Sequence, residues 1–417
     1  MANKLFLVTS MKKIKNFSST CKKVQIPLKE IKIIEKCVRS KSGKVYIVGG
    51  AVRDLILNNN NNFQADLVVD IEMPDLLICL KKNNIKYIPL GIKFGSIIVI
   101  INSIRIDVTT MRSDVSSDGR WAKVEFTKNI KLDSERRDFS FNSIYCDTNG
   151  YLYDPNDGVN DLISGYVRFI GDINKRVNED FLRIIRFYRF SIYYADSFNN
   201  KIIKILVKYH KNLKSLSFER KFDEIRKILN YENLHQKLVK KSVVNDLKKL
   251  FEKSFDIKLN FNNFDKFCEL EHKLDCIDFE RRLKYLMRNS KNISKFSGKI
   301  NKKLRKRLLS RIKKFNLDQK SLNKLLYKND KSFIEDNILI QCAEKKIPYD
   351  QLVKAKLLIK NHKRKKFPLR GDDLVKLGFD RSKVIGNVLK NTERWWIKNN
   401  FSKNKRSCLD FAIKYLP

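Results

Sequence analysis

The chain has 417 residues, too many for one ordinary hydrophobic core, and its 42% hydrophobic content excludes an intrinsically disordered protein. Its 88 Lys and Arg residues against 46 Asp and Glu give a formal net charge of +42. This charge favours a nucleic acid as partner, then an anionic membrane surface, although genome composition bias could produce part of the same excess. Eight dispersed cysteines without a CxxC pair and only four histidines argue against a zinc site and for a reduced protein of the cytoplasm. No apolar run reaches the roughly 18 residues of a membrane span, so no membrane partner is expected.

The N-terminal part of the chain begins with a basic arm, residues 1–30, which contains several lysines and no acid before Glu30. We expect this arm to be poorly ordered, with a mitochondrial-type presequence as the alternative. Short apolar runs and amphipathic segments then alternate, which predicts a small sheet domain with helices. The predicted strands are Lys44–Val48, Ala65–Ile71, Ser96–Ile101 and Ile104–Thr109, and the predicted helices are Ala51–Leu57 and Pro74–Lys82.

The rest of the chain, from about Asn178, predicts helices throughout. Leu, Ile, Phe, Lys and Arg recur there at helical spacing, and Gly and Pro are rare until Pro348. One predicted helix, Asn301–Phe315, places Leu304, Leu308 and Ile312 on one stripe. The expected fold class is therefore α+β, with a small mixed sheet followed by an all-α region.

The stretch "KVYIVGGAVRDLIL" suggests a phosphate-binding turn. A strand that runs into Gly49 and Gly50 and then into a helix exposes backbone N–H groups at the helix start, where a phosphate binds readily. Arg53, one turn into the helix, could add a guanidinium contact. An ordinary strand-to-helix turn with a surface arginine explains the glycine pair equally simply.

Carboxylates follow on two strands. Alternate side chains of a strand share one face, so Asp66, Val68 and Asp70 lie on the same face of the first strand. Asp107 lies on one face of the second strand. If the two strands are neighbours, Asp66 and Asp107 converge near the glycine turn and form a magnesium site, with Asp70 as a possible third ligand. Two solvated strand faces are the alternative.

Two further stretches carry pairs of polar residues. In "ERRDFSFNSIY", Asp138 and Asn142 are four apart and would be neighbours on a helix. In "NEDFLRIIRFYRF", Asn178 is a plausible helix cap, and Asp180 and Arg183 would face the same side. This acceptor and donor could read the edge of a nucleobase, but a structural salt bridge is the usual meaning of such spacing.

The order of these motifs carries a resemblance. The series "VGGAVRD", "IDVTTMR", "SDGRWAKVEF", "ERRDFSFNSIY", "DPNDGVNDL" and "VNEDFLRIIRFYRF", then "FPLRGDDLVKLGF" with "TERWWI", resembles the bacterial-type (class II) tRNA nucleotidyltransferases and their poly(A) polymerase relatives, especially the alphaproteobacterial CCA-adding enzymes. The likeness is strong over about residues 44–190 and returns at Phe367–Ile397.

The resemblance implies a nucleotidyltransferase head at residues 31–150, a helical neck at 151–240, and a helical body and tail at 241–417 that grip the tRNA acceptor arm. It implies that the protein uses Mg²⁺ to add CMP and AMP, from CTP and ATP, to the tRNA 3′ end. The metal ligands would be Asp66 and Asp107, and Arg120 would belong to the flexible loop associated with the switch from C to A addition. The implied nucleotide-binding residues are Gly49, Gly50, Arg53, Arg137, Asp138, Asn142, Asp180, Arg183 and Arg186.

One motif departs from the family pattern. The family carries Asp-x-Asp on the strand after the glycine turn, whereas this chain has "QADLVVD". Either Gln64 replaces the first aspartate or Val68 replaces the second, and the site then has one negative charge fewer where the metal binds. The alternatives to CCA addition are a poly(A) polymerase and a catalytically weakened homologue that still binds tRNA.

Overall fold

A computed structural model of the protein describes residues 12–59, 65–118, 121–290, 293, 296, 298–313, 315–379 and 383–415. The chain forms two compact units: the first runs to Tyr231 and includes Lys240–Asp256, and the second contains Glu232–Val239 and everything after Ile257. Within the described ranges, no helix has both the length and the apolar character needed to cross a bilayer.

The strands all lie in the first unit. They are β1 (Val45–Val48), β2 (Asp66–Val69), β3 (Lys86–Ile88), β4 (Ser96–Ile101), β5 (Ile104–Thr110), β6 (Arg112–Asp118), β7 (Trp121–Phe126), β8 (Tyr145–Asp147) and β9 (Leu152–Tyr153).

The helices are α1 (Phe17–Lys23), α2 (Leu28–Arg39), α3 (Gly50–Leu57), α4 (Met73–Lys82), α5 (Ile130–Glu135), α6 (Gly158–Ser164), α7 (Ile173–Glu179), α8 (Leu182–Tyr194), α9 (Asn200–Val207), α10 (Phe218–Asn230), α11 (Leu234–Leu238), α12 (Lys241–Phe255), α13 (Phe264–Lys273), α14 (Phe279–Met287), α15 (Lys302–Leu309), α16 (Gln319–Lys328), α17 (Lys331–Ala343), α18 (Tyr349–Asn361), α19 (Gly371–Val375), α20 (Lys383–Lys398) and α21 (Lys405–Ile413). Short 3₁₀ turns occupy Ile92–Phe94, Ser140–Asn142 and His210–Ser215.

The main sheet is mixed and has the strand order β3-β4-β5-β2-β1-β8-β9, with β6 and β7 as a separate hairpin. Only the pairing of β2 with β5 is parallel; the other pairs of the main sheet are antiparallel. All four residues of β1 are buried, because this strand lies between β2 and β8 in the interior of the sheet. The expected α+β class and the four predicted strands are confirmed, whereas the shorter β3, β8 and β9 and the β6–β7 hairpin were not predicted.

The expected disorder of the N-terminal arm is wrong from residue 12 onward. Lys13 bridges to Tyr151, and the backbone N–H of Ile14 donates to the Gly150 carbonyl at 2.9 Å. Phe17 is buried against Gly150, where an added Cβ would lie only 2.8 Å from the ring. Gly150 also has a φ of +88°, a conformation that other residues rarely adopt. A glycine on a distant turn therefore lets this segment fold onto the sheet, which the local sequence did not indicate.

The expectation that the cysteines are reduced is wrong for one pair. Cys37 on α2 and Cys79 on α4 form a disulfide, with 5.7 Å between their Cα atoms. The spacing of 42 residues concealed the pair, because two strands and a helix separate α2 from α4 in the chain and the two helices meet only in the tertiary structure. The other six cysteines are free.

The helical prediction for the C-terminal part is confirmed, but one predicted helix is too long. Asn301 caps α15 by accepting from the Leu304 N–H at 2.9 Å, and the helix ends at Leu309 instead of Phe315. Ser310 leaves helical geometry, where its hydroxyl donates to the Arg307 carbonyl and accepts from Lys284. Leu304 and Leu308 are buried as predicted, while Ile312 lies beyond the helix.

The second unit contains a buried network of charged side chains. Glu271 on α13 is fully buried and accepts from Arg282 at 2.6 Å and from Arg281 at 3.2 Å. Asp336 on α17 is equally buried and holds Arg281 and Arg307. Removing one partner of such a pair leaves a charge in a low-dielectric interior, which is far more costly than breaking an exposed pair.

We expect Glu271→Ala to lower the free energy of unfolding by about 3–5 kcal/mol, because it leaves two buried guanidinium groups without that carboxylate. Glu269→Ala on the same helix removes an exposed salt bridge to Lys273 and should cost no more than about 1 kcal/mol. Urea unfolding followed by circular dichroism measures both values. Equal losses in the two variants would contradict the importance assigned to the buried network.

Candidate nucleotide site

The glycine turn joins the end of β1 to the start of α3. Gly49 has a φ of +69°, a conformation accessible mainly to glycine, and it occupies the N-cap position of α3. A Cβ at this position would lie 3.2 Å from Oδ2 of Asp66. The turn thus lets the backbone pass close to a carboxylate of the neighbouring strand, beside the N-terminal end of a helix that favours anions.

Asp66 and Asp107 are direct neighbours across the parallel pair of strands β2 and β5. Burial, with a smaller contribution from the negative charge of Asp107, raises the pKa of Asp66 to about 6 against the opposing effect of Arg53 and Arg137. Burial also raises the pKa of Asp107. The two strands are neighbours, as the prediction required, and Asp66 lies beside the glycine turn. Two adjacent carboxylates are an environment that a cation would stabilise.

Asp70 does not join this pair. Its carboxylate accepts from the backbone N–H of Lys44, at the end of β2 opposite Asp66. Asp70 lies four residue steps beyond Asp66, roughly 13 Å along the chain. The expectation that Asp70 supplements the carboxylate pair is therefore wrong.

The incomplete aspartate motif can be read in two ways, with either Gln64 or Val68 in place of an aspartate, and the structure describes only the second of these positions. Val68 is buried in an apolar cluster with Val48, Met111 and two tyrosines, Tyr46 and Tyr145. A carboxylate at position 68 would enter that cluster. Gln64 lies outside the described residues, and so does Arg120.

Arg53 is a buried residue of α3 whose guanidinium is held in place by polar and aromatic partners. Its Nε donates to the Tyr194 hydroxyl at 2.9 Å, and its Nη1 donates to Oδ1 of Asn142. The guanidinium carbon lies 5.1 Å from the centre of the Phe190 ring. These contacts orient a positive charge beside the glycine turn.

Asp138 connects three segments of the first unit. Its Oδ1 accepts from Nδ2 of Asn142 at 2.8 Å, and its Oδ2 accepts from Nε of Arg186 on α8 at 2.6 Å. Burial alone would raise the pKa of Asp138, but Arg186 and the hydrogen bonds lower it to about 2. Asp138 and Asn142 are neighbours as predicted, through the 3₁₀ turn Ser140–Asn142 instead of an α-helix.

Arg137 depends on a partner that the sequence did not reveal. Its guanidinium donates to Oδ2 of the buried Asp133 at 3.0 Å, and Tyr145 donates to the same oxygen at 2.6 Å. Burial would raise the pKa of Asp133, but Arg137 and Arg136 lower it to about 2. The predicted Arg137 is thus held by a carboxylate four residues earlier.

These side chains surround one pocket of about 340 Å³. Four guanidinium groups and two carboxylates line it, so its charge suits an anionic ligand. The lining residues are Gly49, Gly50, Arg53, Asp66, Arg137, Asp138, Asn142, Arg186, Arg189 and Phe190.

Asp180 and Arg183 are placed differently from the prediction. Asp180 ends α7 in an extended conformation, and α8 begins only at Leu182, so Asn178 is not the helix cap and the two residues do not share a helix face. Asp180 pairs with Arg220 at 2.7 Å, and Arg183 pairs with Glu179. Both remain electrically close to the pocket: Arg183 contributes to the lowered pKa of Asp138, and Asp180 to the raised pKa of Arg186.

Arg189 and Glu224 are site residues that the sequence reasoning missed. Arg189 lines the pocket and forms an ion pair with the buried Glu224 of α10 at 2.7 Å. The spacing of Arg183, Arg186 and Arg189 in steps of three could have revealed Arg189. Nothing local indicates Glu224, which lies 35 residues further along the chain.

Comparison with known proteins identifies the family. Residues 45–168 match the model described as the Poly A polymerase head domain. The mitochondrial CCA tRNA nucleotidyltransferase 1 of Mus musculus is 26% identical over 92% of this chain and 90% of its own length. The head-domain match and the similarity along most of the chain support the tRNA nucleotidyltransferase and poly(A) polymerase family.

Further members of this family match in part or in fold. The CCA-adding enzyme of Streptococcus gordonii is 32% identical over 47% of this chain and 48% of its own. The crystal structure of the Bacillus stearothermophilus CCA-adding enzyme in complex with CTP is similar with a TM-score of 0.69, 20% identity, and coverage of 93% of this chain and 98% of that one. The Thermotoga maritima CCA-adding enzyme complexed with tRNA has a TM-score of 0.61 and 20% identity, over 97% of this chain and 99% of that one. These structures establish a shared fold.

The lowered pKa of Asp138 predicts a specific loss of stability in acid. A carboxyl whose pKa is lower in the folded state stabilises that state above its ordinary pKa of 3.8, and the contribution disappears as the pH falls through the folded value of about 2. Between pH 4.5 and 3, the stabilisation contributed by Asp138 should fall by about 1 kcal/mol.

Asp138→Asn lacks this titration, so its stability should fall by about 1 kcal/mol less than that of the wild type over the same interval. Urea unfolding at the two pH values measures the difference. Identical pH dependence in both proteins would show that Asp138 is not held by Arg186 in solution.

Proposed function

We propose that this protein adds CMP and then AMP, from CTP and ATP, to the 3′ end of tRNA without a nucleic-acid template. The relatives that match over about nine-tenths of the chain are CCA tRNA nucleotidyltransferases. The observation that carries the proposal is the pocket itself, in which a glycine turn and four arginines adjoin the carboxylate of Asp66, whose neighbour on the next strand is Asp107.

Asp66 and Asp107 are the residues that would hold a divalent metal, which we propose to be Mg²⁺. Two carboxylates fit this ion, because Mg²⁺ in phosphoryl-transfer sites is commonly bound by one or two carboxylates, with substrate phosphates and water as further ligands. Within the described ranges, no cluster of three or more acidic, histidine or cysteine side chains forms a closed metal site. When bound, the metal supplies Lewis acidity that promotes ionisation of the attacking hydroxyl and offsets charge on the leaving group.

In the reaction, the 3′-hydroxyl oxygen of the tRNA forms a bond to the α-phosphorus of the nucleotide. The bond from that phosphorus to the oxygen shared with the β-phosphate breaks, and pyrophosphate leaves. We assign the glycine turn and Arg53 to binding of the triphosphate. They would offset its negative charge and keep it aligned for attack by the 3′-hydroxyl. Arg137, Asp138 and Asn142 would position the sugar.

The choice of base follows from donor and acceptor order. Cytosine and adenine both present an amino donor next to a ring-nitrogen acceptor, whereas uracil and guanine present a carbonyl acceptor next to an N–H donor. Asp180 accepts only and Arg183 donates only, so together they fit cytosine and adenine and reject uracil and guanine. Arg186 would support this recognition through its bond to Asp138.

The second unit offers a surface for the RNA backbone. A pocket of about 540 Å³ is lined by four basic side chains, Lys303, Lys306, Lys328 and Arg364, and by Arg307, which is paired with acidic residues of the same pocket. The acidic lining residues are Asp278, Glu280 and Asp330. Arg364 belongs to the exposed basic run 363–366. We propose that this surface contacts acceptor-arm phosphates, which predicts recognition by RNA shape instead of tRNA identity.

The cytoplasm remains the proposed compartment. Because the two mammalian relatives are mitochondrial enzymes, fractionation of cells that express the full chain checks this assignment.

The direct experiment incubates the purified full chain with Mg²⁺, CTP, ATP and a tRNA that ends before CCA. We expect stepwise addition of two C residues and one A, and tRNA binding that weakens with rising salt. Long A tails without C would select the poly(A) polymerase alternative. Binding of tRNA without any addition, with activity restored by Gln64→Asp, would select the weakened homologue.

The metal assignment predicts distinct effects for three aspartates. Asp66→Asn and Asp107→Asn should each lower kcat by about 10²-fold or more, because each removes a charge from the metal site. Asp70→Asn, directly after the strand that carries Asp66, should keep kcat within about twofold, since its amide oxygen can still accept from Lys44. Single-turnover assays over a Mg²⁺ titration measure these effects, and a loss in Asp70→Asn as large as in Asp66→Asn would contradict the assignment.

A further inference from the structure

We propose that Arg220 on α10 is a positioning residue that sets base selectivity by orienting the carboxylate of Asp180. This inference rests on the proposed function, in which Asp180 reads the incoming base. Arg220 itself belongs to neither the phosphate pocket nor the carboxylate pair.

Both oxygens of Asp180 are held. Oδ2 accepts from Nη2 of Arg220 at 2.7 Å, and Oδ1 accepts from the backbone N–H of Leu182 at 3.0 Å. A carboxylate oxygen can accept two hydrogen bonds, so each oxygen keeps capacity for the amino group of a base. Arg220 therefore fixes the direction of the acceptor without occupying all of it.

The backbone around Asp180 makes such fixation necessary. Asp180 has a φ of −156° and a ψ of 107°, an extended conformation between α7 and α8, so its side chain is not directed by the regular geometry of either helix. The Leu182 bond is local and moves with the same segment. Arg220 ties this carboxylate to α10, a helix 40 residues further along the chain.

α10 is well placed for this role because one of its faces follows α8. Arg220, Glu224 and Lys227 are spaced at i, i+4 and i+7, and therefore lie on one side of the helix. Glu224 pairs with Arg189, and the Lys227 carbonyl accepts from the Tyr193 hydroxyl at 2.9 Å. Arg220 occupies the N-terminal end of this face, opposite the start of α8.

The donor and the acceptor are anchored independently. Nη1 of Arg183 donates to the Arg176 carbonyl at 2.7 Å and pairs with Glu179, both on α7. A change at Arg220 should therefore disturb the acceptor and leave the donor in place. The result would be a change of base preference in an enzyme that still transfers nucleotides.

Stability and selectivity can be separated at this position. The side chains of Arg220 and Asp180 are 39% and 30% exposed, and pairs of this kind contribute about 0–1 kcal/mol to folding. A purely structural role would show in the melting temperature and would leave the ratio of CTP to UTP use unchanged.

The experiment compares Arg220→Gln and Arg220→Lys with a matched control, Arg226→Gln. Arg226 lies on the same helix and forms an exposed salt bridge with Asp223. Values of kcat/KM are measured for CTP and UTP with tRNA that ends before CCA, and for ATP with tRNA that ends in CC, together with thermal unfolding. We expect Arg220→Gln to lower the preference for CTP over UTP by about tenfold or more, and Arg220→Lys to retain most of it. Arg226→Gln should behave like the wild type.

Two results overturn the inference in distinguishable ways. If the wild type discriminates against UTP and Arg220→Gln does so equally, the role of Arg220 is wrong while the proposed function stands. If the wild type adds neither C nor A, the proposed function fails and takes this role with it.

Discussion

A buried guanidinium group needs a carboxylate beside it, because an unpaired charge in a low-dielectric interior costs several kcal/mol. Both units of this chain are organised around such pairs. In the first, Glu224 holds the buried Arg189, while Asp133 and Asp138 hold the partly buried Arg137 and Arg186. In the second, Glu271 serves the adjacent Arg281 and Arg282. The pairing fixes the direction of each guanidinium, so the same contact that makes burial tolerable also makes the group precise enough to bind a ligand.

The nucleotide pocket is assembled from segments that are distant in the chain. The glycine turn and Arg53 come from the β1–α3 connection, Arg137 and Asp138 follow α5, and Arg186 comes from α8. Asp138 links the last two of these, and Asn142 connects Asp138 to Arg53. The phosphate-binding and sugar-binding parts of the proposed site are therefore one hydrogen-bonded system.

The sequence predicted those features that depend on local periodicity. Alternation along β2 and β5 placed Asp66 and Asp107 on definite strand faces, and the glycine pair marked the turn, so their convergence could be inferred. It could not predict long-range partners. Glu224 lies 35 residues beyond Arg189, and Arg220 lies 40 beyond Asp180; such pairs form only through tertiary packing. The extended residue at Asp180 was missed for a related reason: the apolar pattern continues across the break between α7 and α8.

The allocation of carboxylates in the interior has a consequence for how this chain can evolve. Acidic residues are about half as numerous as basic ones, and several of them are committed to buried arginines. A compositional drift that exchanges lysine, arginine and asparagine on the surface alters few such contacts and leaves the folded core intact. Loss of the carboxylate would instead leave an arginine inside the protein without its ion-pair partner at any of five positions: Asp133, Asp138, Glu224, Glu271 and Asp336. The buried acidic residues are therefore the positions least free to change, and the surface basic residues are the positions most free to change.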